Sequence, residues 1–312
     1  MAAEALPSPC LLCRKNDLQT VRQFTGGQLR SLWRCLDHEF TPEAWGQITP
    51  ETLVALRRCR NCGFTFFRPD LAGGEAFYRE LEREGYYSPV NPEFARTNAF
   101  AVRHGLKRVL DVGCGSGFYL DLARGSGLET FGLELNRAAA EKARAKGHKI
   151  FNQLLHELDP QATGRFDLIT LFQVLEHVPD PVGVMKEAAR FLNPGGYIAI
   201  AVPSDEGVYR LCPLDPHGWP PHHISRWRLA DFEQLAASSG LKLAGRGGDV
   251  LVGSLISDFW LLQNRLAPAV GARPRFGGEF LPKLLATGYR KTGMKFLFPH
   301  WGSSIYAYFQ KS

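Results

Sequence analysis

Residues 109–117 read Val109-Leu110-Asp111-Val112-Gly113-Cys114-Gly115-Ser116-Gly117, and this stretch decides the fold. Apolar residues lead into one carboxylate. Three glycines then stand at alternate positions, ahead of the helix-forming run 118–124. Glycine has no Cβ and accepts positive φ, so the backbone can turn sharply out of a strand and approach a ligand closely. The N–H groups opening the next helix then favour an anionic group. The spacing Asp-x-Gly-x-Gly-x-Gly differs from the Gly-x-Gly-x-x-Gly of dinucleotide enzymes. A glycine turn alone would also suit a Rossmann-like domain that binds no nucleotide, so the surrounding order of elements has to decide.

From residue 108 onward strands and helices alternate, which predicts an α/β fold with a parallel sheet covered on both faces. Strands are expected at 108–112, 129–133, 149–152, 166–172, 197–202 and 241–245, with 303–309 as the last. Helices are expected at 118–124, 137–146 and 229–238. Another opens at Asp180-Pro181, with Asp as N-cap and Pro in the first turn. It should end at Asn193-Pro194-Gly195-Gly196, where proline and glycine forbid continuation. Residues 69–104 read as helical on either side of Gly85-Tyr86-Tyr87-Ser88-Pro89, and 249–300 as an apolar, helix-prone insertion.

The 312 residues are 45% hydrophobic and 22% charged, the balance of a globular protein with ample core. The net charge of +6 suits a nucleotide, a sugar phosphate, RNA or an anionic membrane and selects none of them. No apolar run reaches ~18 residues, and the N-terminus lacks a basic stretch followed by an apolar one. A cytoplasmic location is the resulting expectation. The seven cysteines are odd in number and unevenly placed, which argues against a secreted disulfide scaffold.

An acidic residue roughly 20 positions beyond such a glycine turn can accept both ribose hydroxyls. Glu134, in Phe131-Gly132-Leu133-Glu134, stands there. The ordered set Val-Leu-Asp-Val-Gly-Cys-Gly-Ser-Gly, Gly-Leu-Glu, Phe-Asp-Leu-Ile, Val-Leu-Glu-His-Val and Leu-Asn-Pro-Gly-Gly resembles the class I S-adenosylmethionine-dependent methyltransferases. Within that class it is nearest the group that includes ubiquinone-biosynthesis O-methyltransferase and bacterial sugar C-methyltransferases, over residues 106–245. The resemblance implies a Rossmann-like seven-stranded sheet whose last strand is antiparallel. It implies that Asp111, Gly113, Gly115 and Gly117 line the methionine half of S-adenosylmethionine (SAM), that Glu134 holds its ribose, and that Gln173 lies beside the sulfonium. After the third strand, Phe151-Asn152-Gln153-Leu154 departs from the family pattern, so the adenine contact stays unassigned.

Cys10-Leu11-Leu12-Cys13 and Cys59-Arg60-Asn61-Cys62-Gly63 form two Cys-x-x-Cys pairs, able to deliver four thiolates to a structural zinc ion. The 45 residues between them exceed the spacing of a simple ribbon, and reduced free thiols or a redox pair are the alternatives. Arg57, Arg58 and Arg60 favour thiolates, and Cys35 is a spare. The pattern also resembles the zinc-binding module that precedes many such methyltransferases, with Phe64-Thr65-Phe66-Phe67-Arg68-Pro69 and the Tyr-Tyr segment following it. That resemblance implies that module and tyrosines lie over the active site, which makes Tyr87 a candidate substrate or cofactor contact; the alternative is that it only packs.

Methyl transfer is an in-line displacement that requires a positioned acceptor and, for a hydroxyl or carbon acid, removal of a proton. His177, His222 and His223 lie where this fold places its acceptor. His177 also suits helix-start architecture. In Pro220-Pro221-His222-His223-Ile224-Ser225-Arg226-Trp227 two prolines stiffen a loop that offers a base in His222 or His223 and an aromatic wall in Trp227; the alternative is that the histidines anchor the loop. The apolar face Leu255, Ile256, Phe259, Trp260, Leu262 and Leu266 reads as core or a dimer interface. With Lys283, Arg290, Lys291 and Lys295 near it, peripheral membrane contact is the other reading.

The expected organisation is a four-cysteine zinc module (1–68), a helical lead-in or lid (69–104) and a methyltransferase domain (105–312) carrying the 249–300 insertion. The expected function is methyl transfer from SAM to a small or carrier-linked metabolite, such as a sugar nucleotide, glycan or isoprenoid intermediate. An RNA methyltransferase is the enzymatic rival, but no basic stripe interleaved with aromatics supports nucleic acid. A catalytically silent SAM-binding or interaction protein is the rival from another class.

Overall fold

The computed structural model describes residues 9–81, 91–249, 253–275 and 302–311. The N-terminal part is built on strands β1 (Leu18–Thr25), β2 (Leu53–Cys59) and β3 (Thr65–Arg68), paired antiparallel in that order. Helix α1 (Gly26–Arg34) starts directly from β1. Thr25 caps it in a capping box with Gln28, each side chain meeting the other's backbone N–H. Helix α2 (Pro42–Trp45) and helix α3 (Glu75–Leu81) follow, and Trp33, Phe40, Phe67 and Phe77 bury a core of their own. None of the three strands was anticipated in this region.

Helix α4 (Pro92–Arg103) leads into the second unit, with strands β4 (Arg108–Val112), β5 (Glu129–Leu133), β6 (Lys149–Phe151), β7 (Phe166–Phe172) and β8 (Leu192–Pro203). Between them lie helices α5 (Phe118–Gly125), α6 (Arg137–Ala145), the short α7 (Pro160–Thr163) and α8 (Pro181–Arg190). Strand β9 (Ser225–Arg226), helix α9 (Asp231–Ser239), strand β10 (Lys242–Gly248), helix α10 (Gly253–Leu266) and strand β11 (Ser304–Gln310) complete the described chain.

The seven-stranded sheet has the order β10-β11-β8-β7-β4-β5-β6. β4 to β8 pair in parallel, whereas β11 is antiparallel to both of its neighbours, so the expected Rossmann-like sheet with a reversed last strand is the observed one. Its central strands are apolar along their length because helices cover both faces: Val109, Leu110, Ile169, Leu171, Ile198 and Ile200 are all buried.

One boundary moves. α8 stops at Arg190, and the Asn193-Pro194-Gly195-Gly196 run opens β8 instead of ending the helix. The Asn193 side chain donates to Asp167 Oδ1 at 2.7 Å, and a Cβ on Gly196 would meet the Asn193 and Asp167 carbonyls at 3.0 and 3.2 Å. A glycine there lets the strand start pack tightly against β7.

β9 leaves the histidine loop and pairs with β3, so the last strand of the N-terminal sheet comes from the second unit. Of the 249–300 insertion, α10 lies in the described part. Its Ile256 and Leu266 are buried, and Phe259 and Leu262 pack on the Trp33 core, so this face is a cap on the core. Lys283, Arg290, Lys291 and Lys295 lie outside the described residues, among which no helix is long and apolar enough to cross a membrane.

Candidate functional site

The chain turns out of β4 through three glycines at positive φ: Gly113 at 75°, Gly115 at 52° and Gly117 at 78°. The turn folds back on β5, where the N–H groups of Gly113 and Cys114 both donate to the Leu133 carbonyl, at 2.8 and 3.0 Å. Such an approach requires glycine underneath. A Cβ on Gly132 would stand 2.5 Å from Cys114 Sγ.

Glu134, at the end of β5, is buried, and its two carboxylate oxygens accept the Gly115 and Asn136 N–H groups at 2.8 Å each. Asp111 is also buried and accepts a hydrogen bond from the Thr170 hydroxyl at 2.6 Å. Desolvation raises its carboxyl to about 7, helped by the nearby Glu134 charge. At the end of β7, Gln173 adopts a left-handed φ of 56°, uncommon for a residue with a side chain. Its amide donates to Glu93 at 3.0 Å and to Ser304 at 3.3 Å, tying α4 and β11 to the mouth of the sheet.

A single cavity of about 420 Å³ runs from this turn to the histidines. Asp111, Gly113, Gly115 and Gln173 line one end, and His177, His222 and His223 the other. Gly117 and Glu134 are not among its lining residues: Gly117 packs against Ala143 and His148 of the neighbouring chain segments.

The histidine end is assembled from three places. His177 follows β7, and Ile224 in the loop donates its N–H to the Glu176 carbonyl at 2.8 Å. β9 and the Phe67 N–H, which bonds the Ile224 carbonyl at 2.9 Å, pin the loop to β3. The three rings lie 4.3–4.9 Å apart between centroids. Burial lowers the His177 imidazole to about 4 and pushes His222 and His223 down as well. Glu176 goes the other way, raised by burial to about 8. Burial thus favours the neutral forms of these four groups, while Arg226, paired with Asp205 at 3.6 Å, and Asp215 bring charge to the same cavity.

Two expected substrate contacts fare differently. Trp227 does not face the cavity: its ring is fully buried against Phe64 and Phe232, and its N–H donates to Ser225 Oγ at 3.0 Å. It anchors the loop instead of walling a ligand. Tyr87 lies outside the described residues. Residues at or beside the cavity that were not singled out from the sequence include Glu176, Asp205, Asp215, His217, Glu93 and Tyr78, whose hydroxyl lies 2.9 Å from His177 Nδ1. Glu176 was visible only as part of the Glu-His-Val run, and no spacing tied the others to a site.

Away from the cavity, Cys10, Cys13, Cys59 and Cys62 converge, their sulfurs all within 4.8 Å of one another. The Cys10–Cys62 and Cys13–Cys59 sulfur distances are 3.6 and 3.5 Å. Tetrahedral zinc with Zn–S bonds near 2.3 Å needs about 3.8 Å between sulfurs. Backbone N–H groups of Leu12 and Cys13 point to the Cys10 sulfur, and those of Asn61 and Cys62 to Cys59. Paired N–H donors of this kind stabilise thiolates, so the four residues fit a zinc ion.

A family model described as "Methyltransferase domain" matches residues 80–244, more than half of the chain. The chain is 30% identical over 154 residues to the ubiquinone biosynthesis O-methyltransferase of Thiobacillus denitrificans, covering 44% of this chain and 65% of that protein. To the protein of the same name from Acinetobacter baylyi it is 28% identical over 177 residues, covering 51% and 72%. The chain thus spans slightly less than two thirds of the first relative's length. Among solved structures it resembles the plantazolicin methyltransferase BpumL in complex with a pentazolic desmethylPZN analog and SAH, at 14% identity and a TM-score of 0.49, over 75% of this chain and 89% of that one.

Proposed function

The chain belongs to the methyltransferase-domain family, and from that premise we propose that it transfers a methyl group from SAM to a small-molecule acceptor. The observation that carries the proposal is the continuous cavity joining the glycine turn to the histidine cluster. Ligand sites in open α/β sheets lie at the carboxyl ends of the strands, which is where this cavity sits.

SAM supplies an electrophilic methyl carbon. In this proposal Asp111, Gly113 and Gly115 take its methionine half, Glu134 accepts the ribose hydroxyls and Gln173 borders the sulfonium. Both Glu134 oxygens already hold backbone N–H groups, of Gly115 and Asn136, so the ribose contact would use their remaining lone pairs beside the turn. The acceptor occupies the other end, where the imidazoles of His177, His222 and His223 assist its deprotonation. Burial keeps these rings uncharged, each with a lone pair that can accept a hydrogen bond from the acceptor hydroxyl. An acceptor such as a phenol or a sugar hydroxyl suits a cavity lined by Phe94, Phe172 and Phe259 together with Asp205, Asp215 and Arg226. The cysteine cluster holds one structural zinc ion that fixes the sheet carrying β9, and through β9 the histidine loop.

The test is transfer of labelled methyl from SAM to a panel of phenolic and sugar-hydroxyl acceptors. His222→Ala/His223→Ala should lower turnover by ~10²–10⁴-fold with SAM affinity nearly unchanged, the usual worth of positioned proton-transfer groups. Wild-type turnover in that double variant would remove His222 and His223 from the chemistry and leave His177 or no base. SAM binding without transfer to any acceptor would favour a silent SAM-binding protein.

A further inference from the structure

The acceptor end of the cavity contains a donor set that methyl transfer by itself does not require. One ring nitrogen from each of His177, His222 and His223 lies within 4.8 Å of the others. Two rings are oriented from behind by backbone. His177 Nδ1 is 2.6 Å from the His222 carbonyl, and His222 Nδ1 is 2.8 Å from the His217 carbonyl. A carbonyl only accepts, so both Nδ1 atoms carry hydrogen and both lone pairs sit on Nε2. An outer hydrogen bond of this kind is what orients imidazoles that ligate metals.

A second observation is independent of the first. Glu176 is 1% exposed, and both of its carboxylate oxygens lack a hydrogen-bond partner among the described residues. It lines the same cavity, with Oε1 3.8 Å from His177 Nε2. A buried carboxyl group without a partner is costly unless a ligand meets it. Water, a hydroxyl or an ammonium in the cavity would do so, and an oxygen held beside the three imidazoles would meet both features.

We propose that His177, His222 and His223 bind a divalent cation of the zinc class, with one coordination position open to the cavity and Glu176 accepting a hydrogen bond from the oxygen that fills it. Three imidazoles plus an exchangeable oxygen is the ligand pattern of catalytic zinc, as distinct from the closed four-thiolate pattern. Nitrogen donors select zinc, iron, nickel or copper over magnesium and calcium, which prefer oxygen. For Zn–N bonds of 2.0–2.1 Å the nitrogens must close to about 3.3 Å, a side-chain adjustment within a loop already pinned at both ends. The three imidazoles line the same cavity as the glycine turn, so an acceptor hydroxyl bound at the open position would be held in that cavity for methyl transfer. That role rests on the function proposed above, whereas cation binding does not.

The experiment uses the full chain with its cysteine site filled with zinc, titrated with Co²⁺ in the absence of SAM and acceptor. The expected result is one further equivalent of bound cobalt. Its visible spectrum should be that of nitrogen and oxygen ligation, without the near-ultraviolet charge-transfer band of thiolate ligation. His222→Ala/His223→Ala should abolish that equivalent, and Glu176→Gln should weaken it by roughly 10–100-fold, as loss of an outer-sphere partner does. Wild-type protein that takes up no cobalt beyond the cysteine site overturns the proposal, and so does uptake with a thiolate spectrum. Unchanged uptake by a folded double variant overturns it as well. Should the double variant not fold, the wild-type spectrum and Glu176→Gln still decide. Titrating SAM into the same samples reports the methyltransferase reading separately, so failure of one is distinguishable from failure of the other.

Discussion

Replacing Gly132 with alanine should disturb the glycine turn from beneath. A Cβ at this position in β5 would stand 2.5 Å from Cys114 Sγ and 2.7 Å from Ile150 Cδ1. Neither distance is tolerable, so something must move. Ile150 Cδ1 is the end of a flexible side chain and can turn away. Cys114 has less freedom, because its own Cβ would also be only 3.1 Å away and its N–H is held by the Leu133 carbonyl at 3.0 Å. Overpacking of this kind costs ~1–3 kcal/mol. At about 2–4 °C per kcal/mol for a chain of this size, melting should fall by roughly 2–12 °C. Part of the strain displaces Cys114 together with Gly113 and Gly115, so SAM affinity should drop about 3–30-fold, at 1.4 kcal/mol per factor of ten. Differential scanning fluorimetry and calorimetric titration measure the two effects. Adding Cys114→Ala removes the nearest clash and should restore part of both, a coupling expected only of residues in contact. Gly125→Ala is the control: nothing lies within 4 Å of a Cβ at the end of α5, and helix propensity should raise stability by ~0.5–1 kcal/mol. Unchanged melting and SAM affinity in Gly132→Ala, or no relief from Cys114→Ala, would refute the packing argument.

Asp111 should make stability depend on pH in a particular direction. Its carboxyl titrates at about 7 in the folded chain and at ~3.9 when unfolded, so the folded state binds more protons between these values and stability falls as pH rises through that window. Asp111→Asn keeps an acceptor for Thr170 and should flatten the fall, raising ligand-free stability at neutral pH by roughly 2–4 kcal/mol while weakening SAM binding; identical pH slopes in denaturant titrations would sink this. Protein prepared without chelators should hold one cysteine-bound zinc ion, and Cys59→Ser should release it and loosen the N-terminal sheet; unchanged zinc content by elemental analysis would contradict the ligand set.

The second unit was legible because its signals are local. The apolar run of β4, the three glycines and the start of α5 are contiguous, and each later strand is bounded by its own turn residues. The N-terminal sheet was not legible. β1 is exposed at most positions, so it carries no inside–outside alternation. β9 is two residues long and is defined only by its pairing with β3, more than 150 residues away in the chain. The candidate site divides in the same way. Asp111 and Glu134 follow from fixed offsets along β4 and β5. Trp227 was read as a wall because an aromatic in a polar loop resembles one, and only the packing of Phe64 and Phe232 around it reveals an anchor. Glu176 was hidden because burial without a partner is a property of the folded chain alone.

The central claim is that the cavity beside the glycine turn binds SAM. Calorimetric titration of SAM into the purified wild-type chain, repeated with Glu134→Ala, tests it most directly. The account predicts saturable binding at one site per chain, weakened in Glu134→Ala by a few kcal/mol at most through lost charge-assisted hydrogen bonds to the ribose. Unaltered affinity in that variant would take Glu134 out of the site, and no saturable binding of SAM by the folded wild-type chain would contradict the account as a whole.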